Sequence, residues 1–259
     1  MTRTAVIAGA GSGLGASVAH RFAREGLDVA LFARTESFLD DLAAELTDDP
    51  DLPGTALAVP TDLADPAAIA DGFDRVRATL GPTDVLVNNA SAAPWKGLRD
   101  CSHEELDRAL DVGVRGSFCC ARESVADMLD GGDDGSAGQS GGGAPLDATG
   151  PGPDGTRGTV IFTGATTSVR GRDGAVAFSA AKFGARGIAE SMARELGPAG
   201  IHVAHVVIDG GIRPPDREVD DPDAYLDPDA IADSYWHLVE QDRSAWTLEL
   251  DVRPHVEEF

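Results

Sequence analysis

Lysine is almost missing from this chain: of 21 basic residues only Lys96 and Lys182 are lysines, against 44 acidic side chains, and the formal net charge is -23. Such an excess of negative charge argues against nucleic acid or an anionic membrane as a partner. Cysteine is scarce as well. Cys101, Cys119 and Cys120 are odd in number, with one adjacent pair, so neither a disulfide framework nor a metal-ligand spacing follows. No apolar run approaches the ~20 residues of a membrane span. Met1 leads within a few residues into an apolar strand, without the basic segment and long apolar stretch of a secretory leader; the sequence therefore predicts a soluble, cytoplasmic protein.

What is present suffices for one large domain. The 259 residues are 42% hydrophobic, enough for a sizeable core. Aspartate spread through the loops gives a surface similar to those of proteins from salt-accumulating organisms, which stay soluble in molar salt and repel themselves where screening is weak. Short β-branched runs, Ala5 to Ala8, Val29 to Phe32, Ala56 to Val59, Val85 to Val87, Thr159 to Phe162, Val203 to Ile208 and Trp246 to Leu250, alternate with stretches of helical period. That alternation predicts an α/β fold with a seven-stranded, doubly wound parallel sheet in a single domain over 1–259. Asp65-Pro66 and Asp227-Pro228 each offer an N-cap before a first-turn proline, Ser102 and Glu105 match a capping box, and Gly26, Gly81 and Gly197 stand where helices should stop. The rhythm breaks at about 130–157, where glycine, aspartate, serine and proline dominate. This reads as a surface insertion, either simply tolerated or with a gating or partner role.

The first strand runs into Gly9-Ala-Gly11-Ser12-Gly13-Leu14-Gly15 and then into a helical run from Ala16 to Glu25. Glycines between a strand and a helix let backbone N–H groups approach a pyrophosphate at the helix N-terminus. The second strand ends Leu31-Phe32-Ala33-Arg34. Ala33 stands where a carboxylate would select NAD(H), whereas Arg34 can pair with a 2′-phosphate, so NADP(H) is favoured over NAD(H) unless Arg34 is merely a solvated residue at a helix start.

Farther on, Ala175-Val-Ala-Phe178-Ser-Ala-Ala-Lys182 and Asn88-Asn89-Ala90-Ser91 complete a pattern. With the glycine motif, it resembles the short-chain dehydrogenase/reductase family over nearly the whole length. The resemblance implies a Rossmann-type fold, with cofactor contacts at Gly9, Gly11, Ser12, Gly13, Leu14, Gly15, Arg34, Asp62, Leu63, Asn89, Ala90, Lys182 and Gly210. Asp62 would meet the adenine, unless it only starts a helix. It also implies a homodimer or homotetramer through the helices Ser102 to Leu129 and Val176 to Leu196, and a short, polar substrate lid at about 211–226. The family's asparagine, serine, tyrosine and lysine fall on Gly113, Ala165, Phe178 and Lys182. Only the lysine is kept. The proline-glycine motif after the sixth strand reads Asp209-Gly210, and the ending Ser244 to Pro254 is similar to that of a subgroup with phenylalanine for tyrosine.

In the family the tyrosine protonates the developing alkoxide and the lysine both lowers the tyrosine pKa and binds the nicotinamide ribose. Phenylalanine has no proton to give. A general acid contributes roughly 10²- to 10⁴-fold, and positioning of reactants can contribute more, so activity without the tyrosine is physically open. The expected function is an NADP(H)-dependent oxidoreductase acting on a small carbonyl or activated alkene, with a nucleotide-binding pseudoenzyme or regulatory subunit as the alternative. Candidate proton sources are water, Thr166, Thr167, Ser179 and His205; Tyr225 and Tyr235 lie near the lid but read better as packing. No metal site is expected.

Overall fold

Strands buried on both faces need continuous apolar runs, and the middle of this sheet has them. The computed structural model describes residues 2–130 and 155–257. In it β1 (Thr4–Ala8), β4 (Val85–Asn88), β5 (Gly158–Thr163) and β6 (Ile201–Ile208) are buried at every residue. Outside them run β2 (Asp28–Ala33), β3 (Ala56–Pro60) and β9 (Glu249–Val252), the last two partly exposed as sheet edges. The order is β3-β2-β1-β4-β5-β6-β9, every pairing parallel, in a single α/β domain of Rossmann type. Order reverses at β1, which pairs β2 at Ala5↔Val29 and β4 at Ala5↔Val85, so a crevice opens beyond the carboxyl ends of β1 and β4.

Alternation along the strands divides the core in two. Ala5, Ile7, Leu31 and Val206 face α1 (Leu14–Arg24), α2 (Glu36–Asp48) and α7 (Pro228–Val239). Val6, Ala30, Phe32, Phe162 and Val203 face α3 (Pro66–Thr79), α5 (Ser117–Asp130) and α6 (Val176–Leu196). Phe32 and Phe73 meet edge to face with ring centroids 5.3 Å apart, and Gly72 leaves the space: a Cβ there would lie 3.0 Å from the Phe32 ring. Full burial of one such side chain stabilises by about 1.5–3 kcal/mol.

Helix starts follow the sequence. Asp65 and Asp227 accept from the N–H groups of Ala67 and Asp229, and Ser102 and Glu105 form the reciprocal capping box. Other boundaries are adjusted or gain detail. The long fourth helix is two, α4 (His103–Leu110) and α5, joined by a π-turn at Asp111–Gly116 that carries Gly113. Gly197 is the C-cap of α6, as expected; a 3-10 turn follows, and Gly200, at φ 86°, makes the left-handed exit. The last strand starts at Glu249 because Arg243–Ala245 form a turn capped by Asp242. Within the segment 211–226, expected as a lid, lies a two-stranded ribbon, β7 (Gly211–Ile212) with β8 (Tyr225–Leu226), too short to show periodicity.

Of the insertion expected at 130–157, residues 131–154 lie outside the described residues. Its flanks are fastened: the buried Arg157 donates to the carbonyls of Met128 and Leu129 at the end of α5, and its own N–H donates to the Gly200 carbonyl at 2.8 Å. Removing the α4 cap with Ser102→Ala should cost about 1 kcal/mol. Urea unfolding of the two proteins at one salt concentration reads the difference, and equal midpoints would show that the cap does not matter.

Candidate active site

The glycine motif closes on itself through contacts that only glycine permits at two positions. Gly9 has φ 109°, and a Cβ on it would lie 2.5 Å from the Ala90 nitrogen; a Cβ on Gly15 would lie 2.4 Å from the Gly9 carbonyl oxygen. Gly11 and Gly13 behave differently, since a Cβ on either meets no atom within 4 Å. Their bareness leaves room for a ligand instead of for the protein. Gly13 is the N-cap of α1, gives no side-chain cap, and is followed by no acidic residue in the first turn. The positive end of α1 and its amides thus open onto empty space beside β1, as a pyrophosphate requires. Asn89 braces this loop from β4, its Nδ2 donating to the Gly9 carbonyl at 2.8 Å. Ser12 is exposed at the loop tip, Leu14 is buried beneath it, and Arg34 is exposed just after β2 without an ion-pair partner among the described residues. Leu63 is buried beside Asp62.

Asp62 is already engaged. Arg108 of α4 donates to both its oxygens, at 2.9 and 3.1 Å, and holds its carboxyl below the usual range. This pair joins residues 46 apart, and no local pattern announces it.

Beyond β4, β5 and β6 lies a cavity of about 600 Å³ reached by Phe178, Lys182, Trp95, Thr166, Asp209 and Gly210. Its apolar wall is Phe178 against Trp95, ring centroids 5.2 Å apart, with the Arg172 guanidinium 5.5 Å from the centre of the Trp95 ring. Lys182 comes up from α6 between Phe178 and the sheet. It is buried, its Nζ donates to the Thr163 carbonyl at 2.7 Å and lies 5.7 Å from the Phe178 ring centre. Burial lowers its pKa from 10.5 to about 8. A surface position for this lysine is thereby excluded.

The structure brings the other three tetrad positions beside it. Ala165 lines the cavity, and its N–H donates to Ser168 Oγ. Gly113 packs on α6, where a Cβ would stand 2.9 Å from the Ala181 Cβ; an asparagine cannot be placed there without a shift. Gly184 receives Val114 in the same way, so the small residues of α6 serve close packing on the π-turn within one chain. A void of about 10 Å³, near the lower limit for one water, separates Gly113 and Asn88 from Lys182.

The remaining polar groups are mostly committed. Thr166 Oγ1 donates to Asp209 at 2.5 Å, and the buried Asp209 also faces Arg170 at 3.6 Å and Arg253 at 3.4 Å. Thr167 Oγ1 is buried without a partner, and Ser179 Oγ accepts from the Arg172 N–H, outside the cavity lining. Tyr235 is fully buried on Thr163 Oγ1 at 2.8 Å, and Tyr225 faces a neighbouring hollow. His202 and His205 point to opposite faces as their spacing requires. His202 lies between the carbonyls of Leu238 and Thr247; His205 Nδ1 meets Glu249 at 3.0 Å, and its buried Nε2 has no partner. Burial lowers the pKa of His205.

A doubly wound sheet with a bare, uncapped helix start at its switch point and a cavity beside it is the architecture of a Rossmann-type domain. The chain belongs to the short-chain dehydrogenase family, whose model matches residues 3–139 and 150–216. It is 37% identical to a short chain dehydrogenase/reductase, dpmpG, of Macrophomina phaseolina over 128 residues, 49% of this chain and 72% of that one. The crystal structure of a short-chain dehydrogenase from Rhodopseudomonas palustris superposes with a TM-score of 0.75 and 31% identity, covering 98% of this chain and 99% of that one. Two further structures are 25% identical: a metagenomic short-chain oxidoreductase in complex with NADP, with TM-score 0.76 and 98% of each chain covered, and a 3-ketoacyl-(acyl-carrier-protein) reductase from Brucella melitensis complexed with NADH, with TM-score 0.79 and coverage of 98% and 97%. Among the described residues no group of three metal-ligating side chains occurs, and no helix is long and apolar enough to cross a membrane.

Lys182 also carries a stability signature. Between pH 8 and 10.5 the unfolded chain binds its proton while the folded chain has released it, so this residue adds stability as pH rises through that window. Buried Cys120 and Tyr235, whose pKa values burial pushes up, act in the opposite sense, so the comparison needs Lys182→Met. Stability of wild type minus variant should climb by a few kcal/mol from pH 8 to 10.5, at roughly 1.4 kcal/mol for each pH step of one. A flat difference would place Lys182 in water.

Proposed function

We propose that this protein is an NADP(H)-dependent short-chain oxidoreductase with an incomplete tetrad, which reduces a small carbonyl or activated alkene without a tyrosine. Lys182 carries this reading: burying an ammonium beside an apolar ring is costly, and the site retains one of the chain's two lysines there. The cofactor contacts are assigned to Gly9, Gly11, Ser12, Gly13, Leu14, Gly15, Asp62, Leu63, Asn89, Ala90, Lys182 and Gly210, with Arg34 on the 2′-phosphate. The NADP-bound relative supports that choice and the NADH-bound one moderates it. Phe178 with an intact lysine marks an atypical subgroup. We also assign a halophilic source and cytoplasmic location, in keeping with the acid excess. A homodimer or homotetramer through α4 to α6 has the support of Phe118 and Phe183, each more than two-fifths exposed on those helices.

The residues present suit a dinucleotide, as the open Cβ directions at Gly11 and Gly13 and the uncapped α1 indicate. When bound, the nicotinamide supplies hydride chemistry. The chain's own part is to fix orientation and exclude water. The amides of α1 hold negative charge, Asn89 fixes the loop, and Phe178 with Trp95 presents an apolar wall to the substrate. Lys182 supplies positive charge where oxygen charge develops. A second reading, a nucleotide-binding subunit without turnover, draws on Gly113, where Ala181 closes the asparagine position.

Purified protein in high salt, mixed with NADPH and a panel of aldehydes, ketones and enones, separates the two. Saturable binding with NADPH oxidation above buffer supports the enzyme; binding without oxidation supports the subunit. Phe178→Tyr should raise the rate several tenfold, within the roughly 10²- to 10⁴-fold range of a general acid. Arg34→Ala should weaken NADPH binding by about tenfold, the loss of one charge-assisted contact, and leave NADH binding unchanged. Equal losses for both nucleotides would overturn the phosphate assignment.

A further inference from the structure

We infer that Lys182 itself gives the proton that the family takes from tyrosine, an inference that rests on the reductase reading above. A bound reduced nicotinamide would supply hydride to the carbonyl carbon, and the carbonyl π pair would move to oxygen. That oxygen takes a proton from the Lys182 ammonium as one N–H bond breaks. The products are alcohol, NADP⁺ and a neutral amine, and the amine takes a proton back from water in the open cavity.

Elimination leads to this residue. Donors around the Phe178 ring are few, and most are spoken for. Thr166 has its proton on the buried Asp209 carboxylate. Thr167 borders the cavity, but its Oγ1 is buried and offers only an alcohol, and Ser179 is turned to the Arg172 backbone. Tyr235 is closed off on Thr163 Oγ1. Asn89 is occupied by Gly9, and Ser91 offers only an alcohol, a far weaker acid than an ammonium. Arg170 and Arg172 do not release protons at any ordinary pH. Lys182 has three N–H bonds, of which one is used on the Thr163 carbonyl, and it lines the cavity beside Phe178.

Burial tunes the same group toward the task. A general acid works best with a pKa near the working pH, and the absence of a carboxylate on Nζ lets desolvation act unopposed. The charged groups around it explain why no counter-ion intervenes. On the sheet side, His205 of β6 is held by Glu249 of β9, which also takes Arg186 of α6, so that carboxylate is already paired. Toward the cavity, Asp209 is matched by Arg170 and Arg253, Arg172 lies on Trp95, and Glu257 sits at the outer edge.

Scarcity of lysine makes a direct test possible. Protein labelled with ¹³C at the lysine ε carbon gives two signals, and Lys96→Arg identifies that of Lys96, which is ion-paired with Glu105 and titrates above its ordinary value. The Lys182 signal should titrate with a midpoint of about 8. Carbonyl reduction should hold level below that midpoint and fall about tenfold per pH unit above it, because the donor form is lost. Lys182→Arg keeps the charge and cannot give the proton; at saturating NADPH, reduction should fall about 10²-fold or more, whatever change in NADPH affinity the same protein shows. Phe178→Tyr should move the pH limb away from the lysine midpoint.

A Lys182 midpoint at or above 10.5, or Lys182→Arg with full reduction, would overturn the inference. Bound NADPH that no carbonyl in the panel oxidises at any pH would overturn it too, together with the reductase reading on which it rests. If Lys182→Arg does not fold, the wild-type titration and the pH limb decide alone. Failure of wild-type protein to bind any nicotinamide nucleotide defeats the underlying reading instead, and is seen separately from all of these.

Discussion

The bond from Lys182 Nζ to the Thr163 carbonyl is the contact on which the site is built. It ties the middle of α6 to the carboxyl end of β5, and it is made by a charged group that the surrounding core would otherwise reject. Because that ammonium is buried with a single protein acceptor, every neighbour bears on it: the Phe178 ring above, the small void toward Gly113, and His205 with Glu249 below. A buried cation of this kind is costly unless something uses it. The packing around the residue therefore reads as a device for holding one charge at the cavity floor.

The degenerate tetrad is not a set of unrelated losses. Gly113 and Ala181 approach closely, Gly184 accepts Val114, and these contacts draw α6 against the π-turn between α4 and α5. Phe178 in turn leans on Trp95, which carries Arg172. Restoring an asparagine at 113 would need a shift against Ala181 of α6, whereas Phe178 borders an existing cavity. The positions thus differ in how deeply the fold has absorbed the change.

Much of this was legible in the sequence where the physics is local. Strand order of appearance, the capping box at Ser102, the aspartate-proline starts and the Gly9 to Gly15 loop are governed by residues within a few positions of one another. They could be read directly. The π-turn was not legible, because it is stabilised by Ala181 and Val114 meeting glycines across two elements and leaves the helical period of the sequence nearly intact. Asp62 with Arg108, Thr166 with Asp209 and His205 with Glu249 join residues 43 to 46 apart. Such pairs have no periodic trace. Thr166, Thr167 and Ser179 are reasonable proton sources from position alone, and only three dimensions remove them: Thr166 is held by Asp209, Ser179 by the Arg172 backbone, and Thr167 Oγ1 is buried. The comparisons with known proteins carry the family, while the chemistry at Phe178 rests on the geometry.

Arg157 has a consequence of another kind. By fastening the carbonyls at the end of α5 and the start of β5 in one place, it fixes the distance between Asp130 and Gly155 from within the folded body. Whatever polypeptide spans those two points is relieved of holding them together. The docking of α5 against the start of β5 is thus secured by a side chain of the folded body.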